Sequence, residues 1–258
     1  MFVEERHQLI LSTLNKEGKI KVKELSEKFN LTEDAIRKDL ASLEKKGLLK
    51  RVYGGAVKVR DDFLLLNIED RKKILPEEKQ KIAKKAFSLL KENTTLFLDI
   101  STINLEISKL IIQSNLKIVV VTNMIEILLN FLNAETASEI IFIGGKLDNK
   151  NKEGFVSSYS IEQIKNFKYD LAFLGATGIN IAENTISTYF LDDAMCKKEI
   201  IRNSKKKYIL IESKKLNMDG RINFAHFKDI NGIIMEEEKE DLKKFNFCNY
   251  SVMSFYKK

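Results

Sequence analysis

The segment LTEDAIRKDLASLEKKGLLKR, residues 31–51, decides the organisation of the chain. Its apolar residues recur at helical spacing, as at Ile36 and Leu40, so they share one face of a helix. Thr32 stands before this helix as a predicted N-cap, and Gly47 follows it as a predicted end. Another amphipathic stretch ends at Phe29, so that only two residues separate it from Thr32. Two short helices joined by a tight turn predict a helix-turn-helix, whose second helix lies in a DNA major groove.

A β-hairpin wing is predicted directly after this helix. Residues 48–52 have the pattern of a strand, 53–55 of a turn, and 56–59 of the returning strand, which carries the basic residue Lys58. The side chains expected to contact DNA lie on the second helix and on or beside the wing: Thr32, Arg37, Lys38, Lys50, Arg51 and Tyr53. The alternative is a pair of surface helices with solvated charges, which the wing makes less probable.

These motifs resemble the DeoR family of bacterial transcriptional regulators. That family carries I-R-R-D-L in its recognition helix and H-G-G-A in its wing, and residues 36–40 and 53–56 match them here. Two positions differ, because Lys38 replaces an arginine and Tyr53 replaces the histidine. A lysine keeps the charge but lacks the bidentate fork, so the resemblance implies a phosphate contact at Lys38 and leaves a base contact open.

The length of the chain suits one large domain or two, and its excess of basic residues is uneven. The 258 residues are 44% hydrophobic, which is ample for packed cores. The first 60 residues hold 14 Lys and Arg against 9 Asp and Glu, so +5 of the total charge of +7 lies there. Neither a signal peptide nor a membrane span is predicted, and Cys196 and Cys248 lie in no metal-ligand spacing, which favours free thiols in a reducing cytoplasm.

The rest of the chain predicts a larger α/β domain. We expect a winged helix-turn-helix over residues 1–58, a linker over 59–75 and an effector-sensing domain over 76–258, beginning with a helix at Pro76. From Thr94 onward, buried apolar runs alternate with helical stretches, which predicts a largely parallel sheet covered by helices on both faces. The apolar runs are 96–98, 118–121, 140–143, 171–174, 208–211 and 233–235.

Small and hydroxyl-bearing residues follow several of these predicted strands. In a parallel sheet they meet at one edge, where backbone amides and hydroxyls can hold an anion. The candidate effector-binding residues are Asp99, Ser101, Thr102, Thr122, Asn123, Gly144, Gly145, Gly175, Gly178 and Lys215. Each is ordinary alone, since a glycine pair usually marks a turn and a single lysine is usually solvated. Their recurrence at successive strand ends is what predicts an anion cradle.

The resemblance to the DeoR family extends over this half. The family's effector domain looks like the ribose-phosphate isomerase fold and carries D-x-G-T-T, T-N, G-G, G-x-x-G and D-x-x-K after successive strands. The residues listed above match most of these motifs, while Arg71, Lys79 and Ile82 fit the preceding helical region. The resemblance implies a sensor for a phosphorylated sugar or related metabolite that controls operator binding.

Four departures fall at the proposed cradle. Ser101 and Ser157 stand where the family has glycine, Ile103 replaces a threonine, and Glu212 replaces an aspartate. We expect a serine to be excluded from a backbone nest with positive φ, and Ile103 to remove one hydroxyl donor. The sequence therefore predicts weak binding of ordinary sugar phosphates, or a different phosphorylated ligand.

Two classes of function follow from these patterns. The first is a ligand-controlled repressor acting on double-stranded operator DNA as a homodimer or homotetramer, without a cofactor or metal. The alternative is an enzyme resembling a sugar-phosphate isomerase, for which Asp99, Glu212 and Lys215 are the candidate acid-base groups. Both histidines, His7 and His226, fall outside the predicted rim, and we interpret them as structural or surface residues. A DNA-binding unit favours the repressor, because an isomerase has no use for one.

Overall fold

The computed structural model describes residues 3–45, 48–57, 68–147, 153–237 and 242. It divides into two compact units, Met1–Leu75 and Pro76–Lys258. The predicted helix end at Gly47, the wing residue Lys58 and Cys248 lie outside the described residues, as does most of the predicted linker. That linker remains a prediction, although its last part contains a short helix.

The first unit is a winged helix-turn-helix, as predicted. Its elements are α1 (Val3–Glu17), β1 (Lys19–Lys21), α2 (Val22–Phe29), α3 (Glu33–Lys45), β2 (Lys50–Val52), β3 (Gly55–Val57) and α4 (Ile68–Lys73). The three strands form an antiparallel sheet in the order β1-β3-β2. Strand β1 was not predicted, because three residues of alternating lysine and isoleucine give too short a pattern.

The turn between α2 and α3 follows from its sequence. Asn30 adopts the left-handed conformation at φ 51°, which asparagine tolerates better than most residues, and so ends α2. The Thr32 hydroxyl then accepts the backbone N–H of Ala35 at 3.3 Å and caps α3, as predicted. The turn therefore ends α2 at Asn30 and satisfies the Ala35 amide in the first turn of α3.

The first unit has a core of its own, drawn from the first 57 residues. Ile10, Ile36 and Leu40 are buried in it and link α1 to α3. At Gly55 a Cβ atom would lie 2.0 Å from the backbone oxygen of Ile20, so this wing position requires glycine. The wing hairpin is thus packed directly onto β1.

The second unit alternates helices and strands. Its elements are α5 (Pro76–Phe87), β4 (Thr95–Leu98), α6 (Thr102–Gln113), β5 (Val119–Thr122), α7 (Ile125–Leu132), β6 (Glu139–Phe142), α8 (Ser158–Lys165), β7 (Tyr169–Gly175), β8 (Gly178–Asn180), β9 (Thr185–Thr188), α9 (Leu191–Asn203), β10 (Ser204–Leu210), β11 (Ile222–His226) and β12 (Gly232–Ile234). Six strands form a parallel sheet in the order β12-β10-β7-β4-β5-β6, which confirms the predicted architecture.

A second, antiparallel sheet with the order β11-β9-β8 was not predicted. Its strands are short and rich in threonine, serine and asparagine, so they lack the apolar runs that mark the central strands. The central strand β4 shows the contrast, because Leu96, Phe97 and Leu98 are all buried. Both faces of that strand are covered, which is why its sequence is continuously apolar.

Candidate functional site

The recognition helix α3 presents charged residues at its start. Arg37 and Lys38, two of the residues predicted to contact DNA, are exposed. The Arg37 guanidinium is not isolated, since it pairs with Glu33 at 2.6 Å and with Asp34 at 2.7 Å. The Thr32 side chain serves as the helix cap, so its hydroxyl is already engaged.

Asp39 in the same helix has a structural role that the sequence did not reveal. Its buried carboxylate accepts two hydrogen bonds from Arg6, at 2.6 and 3.0 Å, and lies 3.1 Å from His7 Nε2. Burial alone raises the pKa of Asp39, but the hydrogen bonds from Arg6 and His7 outweigh it and hold the pKa below its usual value. This cluster ties α1 to α3, and His7 belongs to it as a structural residue.

The wing carries the other predicted DNA contacts on its exposed side. Lys50 and Arg51 are exposed in β2, and Tyr53 is fully exposed in the turn. Glu44 of α3 accepts the backbone N–H of Arg51 at 2.8 Å and its Nε at 2.7 Å, so the wing is tied to the recognition helix. These bonds to Arg51 lower the pKa of Glu44.

The predicted effector residues fall at one edge of the six-stranded sheet. Asp99, Asn123 and Gly144 follow β4, β5 and β6, and Gly175 is the last residue of β7. Because these strands are parallel, their carboxyl ends meet at the same edge. Sequence reasoning therefore located the rim, and the contacts below define what each residue does there.

Asp99 is the centre of a buried charged cluster. Its carboxylate accepts the backbone N–H of Gly175 at 3.0 Å and Asn104 Nδ2 at 2.7 Å, and it forms a short ion pair with Lys197 Nζ. Lys197 Nζ also lies 3.3 Å from Asp193, one turn earlier in α9. We name this group, Asp99, Lys197 and Asp193, the Asp99 cluster.

Burial and pairing oppose each other in the Asp99 cluster. Burial lowers the pKa of Lys197, but Asp193 and Asp99 outweigh it, so the pKa lies above the usual lysine value. Burial is also the largest influence on Asp99 and raises its pKa, against Lys197 and the Gly175 N–H. The lysine is therefore held charged between two carboxylates.

Sequence reasoning missed Lys197 and Asp193. Both lie on α9, in a stretch predicted only as a helix, and Lys197 is 98 residues away from Asp99. The available signal was the spacing of an aspartate and a lysine four residues apart on one helix face. Such pairs usually lie on surfaces, so nothing in the sequence marked this lysine as buried.

Ser101 corrects one expectation about the cradle. Its φ is −154°, so the backbone there is extended rather than left-handed, and a serine fits without strain. The Ser101 hydroxyl accepts the backbone N–H of Asn104 at 3.1 Å and caps α6. Thr102 is the first residue of that helix and is buried, while Ile103 packs into the core. A Cβ at Gly175 would lie 2.6 Å from Ser101 Cβ, so the two chain segments touch.

Thr122 and Asn123 are engaged mainly in holding the chain together. The Thr122 hydroxyl donates to the Leu98 oxygen at 2.7 Å and accepts the Met124 N–H at 3.1 Å. Asn123 Nδ2 donates to the Phe155 oxygen at 2.9 Å. Asn123 Oδ1 is buried, and it has no hydrogen-bond partner within the part of the chain that the structure describes.

The glycine pair after β6 packs against the start of α8. The Gly144 oxygen accepts the Ser160 hydroxyl at 2.8 Å, and a Cβ at Gly145 would lie 2.6 Å from Ser157 Oγ. Gly145 has a φ of 147°, a conformation that favours glycine. Ser157, which replaces a family glycine, caps α8 through a reciprocal contact with Ser160.

Lys215 contacts a different group from Asp99. Its Nζ lies 2.7 Å from Glu212 Oε2, in a 3-10 turn that follows β10. Burial raises the pKa of Glu212, but Lys215, Lys214 and Lys79 outweigh it and lower the pKa to about 2. Burial in turn lowers the pKa of Lys214 to about 8. We name Glu212, Lys214, Lys215 and Lys79 the Glu212 cluster.

Gly178 lies beside this turn for a packing reason. A Cβ at Gly178 would lie 2.1 Å from the Met218 oxygen, so the glycine permits a close approach of two chain segments. The adjacent Ile179 pairs with Leu216. The predicted Gly175 to Gly178 motif is thus shared between β7 and the small antiparallel sheet.

Among the described residues, no group of three or more His, Cys, Asp or Glu side chains is arranged to hold a metal ion. No helix in the same ranges is long and apolar enough to cross a membrane. Cys196 is buried, and burial raises the pKa of its thiol to about 12.

Two family models match the chain in succession. A DeoR-like helix-turn-helix domain matches residues 6–61, and a DeoR C terminal sensor domain matches residues 75–237. The first match covers the winged helix-turn-helix, and the second covers the six-stranded sheet with both charged clusters.

Curated relatives are similar along most or all of the chain. An uncharacterized HTH-type transcriptional regulator FruR from Bacillus subtilis (strain 168) is 33% identical over 261 residues, which cover 100% of both chains. The lactose phosphotransferase system repressor of Staphylococcus aureus (strain NCTC 8325 / PS 47) is 28% identical over 240 residues, covering 92% of this chain and 93% of its own. Among solved structures, ribose 5-phosphate isomerase A from Methanocaldococcus jannaschii is 19% identical, with a TM-score of 0.40 over 55% of this chain and 54% of its own.

Proposed function

Because this chain belongs to the DeoR family of transcriptional regulators, we propose that it is a repressor whose affinity for operator DNA is set by a phosphorylated sugar or a related metabolite. It is a DNA-binding transcriptional regulator with a sensor domain. The observation that carries the proposal is that one chain joins these two matched units in the family's order. The related lactose phosphotransferase system repressor supports a sugar-linked signal.

DNA binding is assigned to α3 and the wing. We propose that Arg37 reads a base edge while Lys38 and Lys50 contact phosphates, because a guanidinium has a bidentate fork and an ammonium group does not. Arg51 and Tyr53 would extend the contact along the duplex from the wing. Thr32 supports the start of α3 through its capping bond, and we propose that it lies beside a phosphate.

Effector binding is assigned to the rim of the six-stranded sheet. Asp193 and Lys215 have side chains 16% and 18% exposed, whereas Lys197, Asp99 and Glu212 are at most 3% exposed. Asp193 and Lys215 are therefore the more accessible members of the two charged clusters. We propose that Lys215 receives the phosphoryl group and that Asp193 accepts a sugar hydroxyl, with Asp99, Lys197 and Glu212 holding them in place.

The remaining predicted rim residues shape this site in the proposal. Helix α6 begins at Thr102 beside Asp99, so its first amides can help to hold an anion. Asn123 Oδ1 is an acceptor at the same edge of the sheet. We assign Ser101, Thr122, Gly144, Gly145, Gly175 and Gly178 to the shape of the rim through the contacts described above.

The enzyme alternative finds less support. Its three candidate acid-base groups have separate partners, since Asp99 pairs with Lys197 while Glu212 and Lys215 pair with each other. A general base needs to reach a substrate proton, and Asp99 is held by an ion pair, by Asn104 Nδ2 and by the Gly175 N–H, which lies 3.0 Å from both carboxylate oxygens. We therefore propose a regulator without catalysis, acting in the cytoplasm as a homodimer or homotetramer on repeated half-sites.

One experiment tests both halves of the proposal. Duplexes that bind the full-length protein are selected from a randomised pool, and the best one is titrated in the presence of sugar phosphates and their unphosphorylated parents. We expect one phosphate to lower the occupancy of that duplex while its parent sugar has no effect. The same phosphate at about 100 times its dissociation constant should stabilise the protein by about 2.7 kcal/mol.

Lys215→Met should weaken this response, with Lys205→Met as the matched control, because Lys205 is exposed and pairs with Asp170 instead. A protein that selects no duplex contradicts the DNA-binding half. A protein that selects a duplex and responds to no phosphate contradicts the effector half.

A further inference from the structure

The first turn of α3 holds three charged side chains in contact. Arg37 Nη2 lies 2.6 Å from Glu33 Oε2, and Arg37 Nη1 lies 2.7 Å from Asp34 Oδ1. All three side chains are exposed, and together two carboxylates and one guanidinium leave a negative excess. The part of the helix expected to approach polyanionic DNA thus surrounds its arginine with carboxylates.

The pairs of Arg6 and Arg51 in the first unit have a different construction. Arg6 meets the buried Asp39 and ties α1 to α3, while Glu44 binds the backbone and the side chain of Arg51 and ties β2 to α3. The contacts of Arg37 with Glu33 and Asp34 instead join residues within a single turn. Exposed pairs of this kind add little to folding stability. Their main effect is therefore to fix the position of the Arg37 guanidinium.

We infer that Glu33 and Asp34 are positioning residues that hold the Arg37 guanidinium for a contact with a base edge and keep it off the DNA backbone. The inference rests on the proposed function, in which α3 enters the major groove. A guanidinium held before binding loses less side-chain freedom on forming a bidentate contact. A phosphate brings a third negative group toward two carboxylates, whereas a guanine edge offers two acceptors without net charge.

Two measurable consequences follow from this arrangement. Neutralising both carboxylates removes repulsion from every phosphate nearby, so affinity for DNA of arbitrary sequence should rise. Arg37 then becomes free to choose a phosphate over a base, so discrimination between sequences should fall. A role in stabilising the helix N-terminus alone would change the unfolding temperature and leave discrimination unchanged.

The test uses the full-length protein and the duplex selected with it from a randomised pool. Dissociation constants are measured at one salt concentration for this duplex and for a scrambled duplex of equal composition. The ratio used below is the constant for the scrambled duplex divided by the constant for the selected duplex. For Glu33→Gln/Asp34→Asn we expect the ratio of the two constants to fall about tenfold, as for loss of one bidentate base contact. Glu24→Gln is the matched control, because it removes one carboxylate from an exposed pair with Lys21 at the start of α2; its ratio should stay within about twofold.

A cycle with Arg37→Ala identifies the route of the effect. In that background the same two substitutions should leave the ratio unchanged, because the group that they position is gone. A ratio that still falls there overturns the inference, since the carboxylates would then act on DNA directly. An unchanged ratio in the background with Arg37 overturns it as well.

Thermal unfolding confirms that each variant is folded, and Glu33→Gln alone replaces the double variant if that variant is unstable. Failure of the proposed function is seen separately and earlier, because the unmodified protein would then show no preference for any duplex. That result removes the basis of the inference too.

Discussion

The residues assigned to DNA in the first unit and the residues at the rim of the second unit use charge in different ways. In the winged helix-turn-helix, the residues assigned to DNA are exposed and paired within their own neighbourhood, as Arg37 is with Glu33. At the rim of the sensor sheet, the central pair of Asp99 and Lys197 is buried and joins segments 98 residues apart. An exposed charged residue can exchange its ion-pair partner for a group on DNA with little loss of folding stability. Removing one member of a buried ion pair lowers folding stability. We therefore expect substitutions of the buried charges to change mainly folding stability and substitutions of the exposed charges to change mainly DNA binding.

The largest effect is expected at Lys197. Lys197→Met leaves Asp99 and Asp193 without their shared cation, and the uncompensated buried carboxylate should cost about 3–5 kcal/mol of unfolding free energy. The measurement is chemical denaturation at pH 7. Lys198→Met at the next position is the matched control and should change stability by no more than about 0.5 kcal/mol. Similar unfolding free energies for Lys197→Met and Lys198→Met would contradict the contrast between buried and exposed charges. A smaller loss of unfolding free energy in Lys197→Met/Asp99→Asn than in Lys197→Met would support it.

A smaller effect with a distinct pH signature is expected at Glu212. The pKa of this carboxyl is about 2 in the folded protein, below its ordinary value of 4.5, so its charge favours folding above pH 4.5. That stability is lost as the pH falls from 4.5 toward 2. Glu212→Gln should therefore lower the unfolding free energy by about 1–3 kcal/mol at pH 7.

The difference between Glu212→Gln and the unmodified protein should shrink as the pH approaches 2, as measured by thermal unfolding across that range. Glu162→Gln is the control, because Glu162 lies in an exposed pair with Lys165. A difference in unfolding free energy that stays constant with pH would contradict a stabilising role of the ionised Glu212 carboxylate.

The smallest effect on stability is expected at Arg37. Its pairs are exposed, so Arg37→Ala should change the unfolding free energy by no more than about 0.5 kcal/mol. The same variant should weaken binding to the selected duplex by about 1–3 kcal/mol and flatten discrimination at one base position. Equal weakening on every sequence would make Arg37 a phosphate contact, and a large loss of stability would contradict the contrast between the units.

The sequence predicts the positions of exposed residues better than it predicts which charged residues are buried. Exposed residues such as Arg37 and Tyr53 were located because helix and hairpin patterns give their positions directly. The rim was located because parallel strands end at one edge. Lys197 was missed, since its burial depends on the packing of α9 against distant strands, and no local pattern reports that.

Expectations about individual rim residues were less accurate for the same reason. Ser101 was expected to disturb a positive-φ nest, yet its backbone is extended and its hydroxyl caps α6. Gly178 was assigned to an anion cradle, and the close approach of Met218 supplies another reason for a glycine there. A glycine or serine at a turn indicates that the backbone there is constrained. Whether the constraint is a ligand or a packed chain segment depends on neighbouring residues that are distant in sequence.

The order of strands in the sensor sheet has a consequence for synthesis of the protein. The core of the winged helix-turn-helix uses only the first 57 residues, so that unit can fold as soon as they leave the ribosome. Strand β4 must wait for β7, and β7 for β10, before the sheet can close. At about 5–20 residues per second, roughly 10–30 s separate the two events. A nascent chain therefore contains the folded winged helix-turn-helix before the sensor sheet is complete, and premature termination in that interval would release the first unit without its sensor.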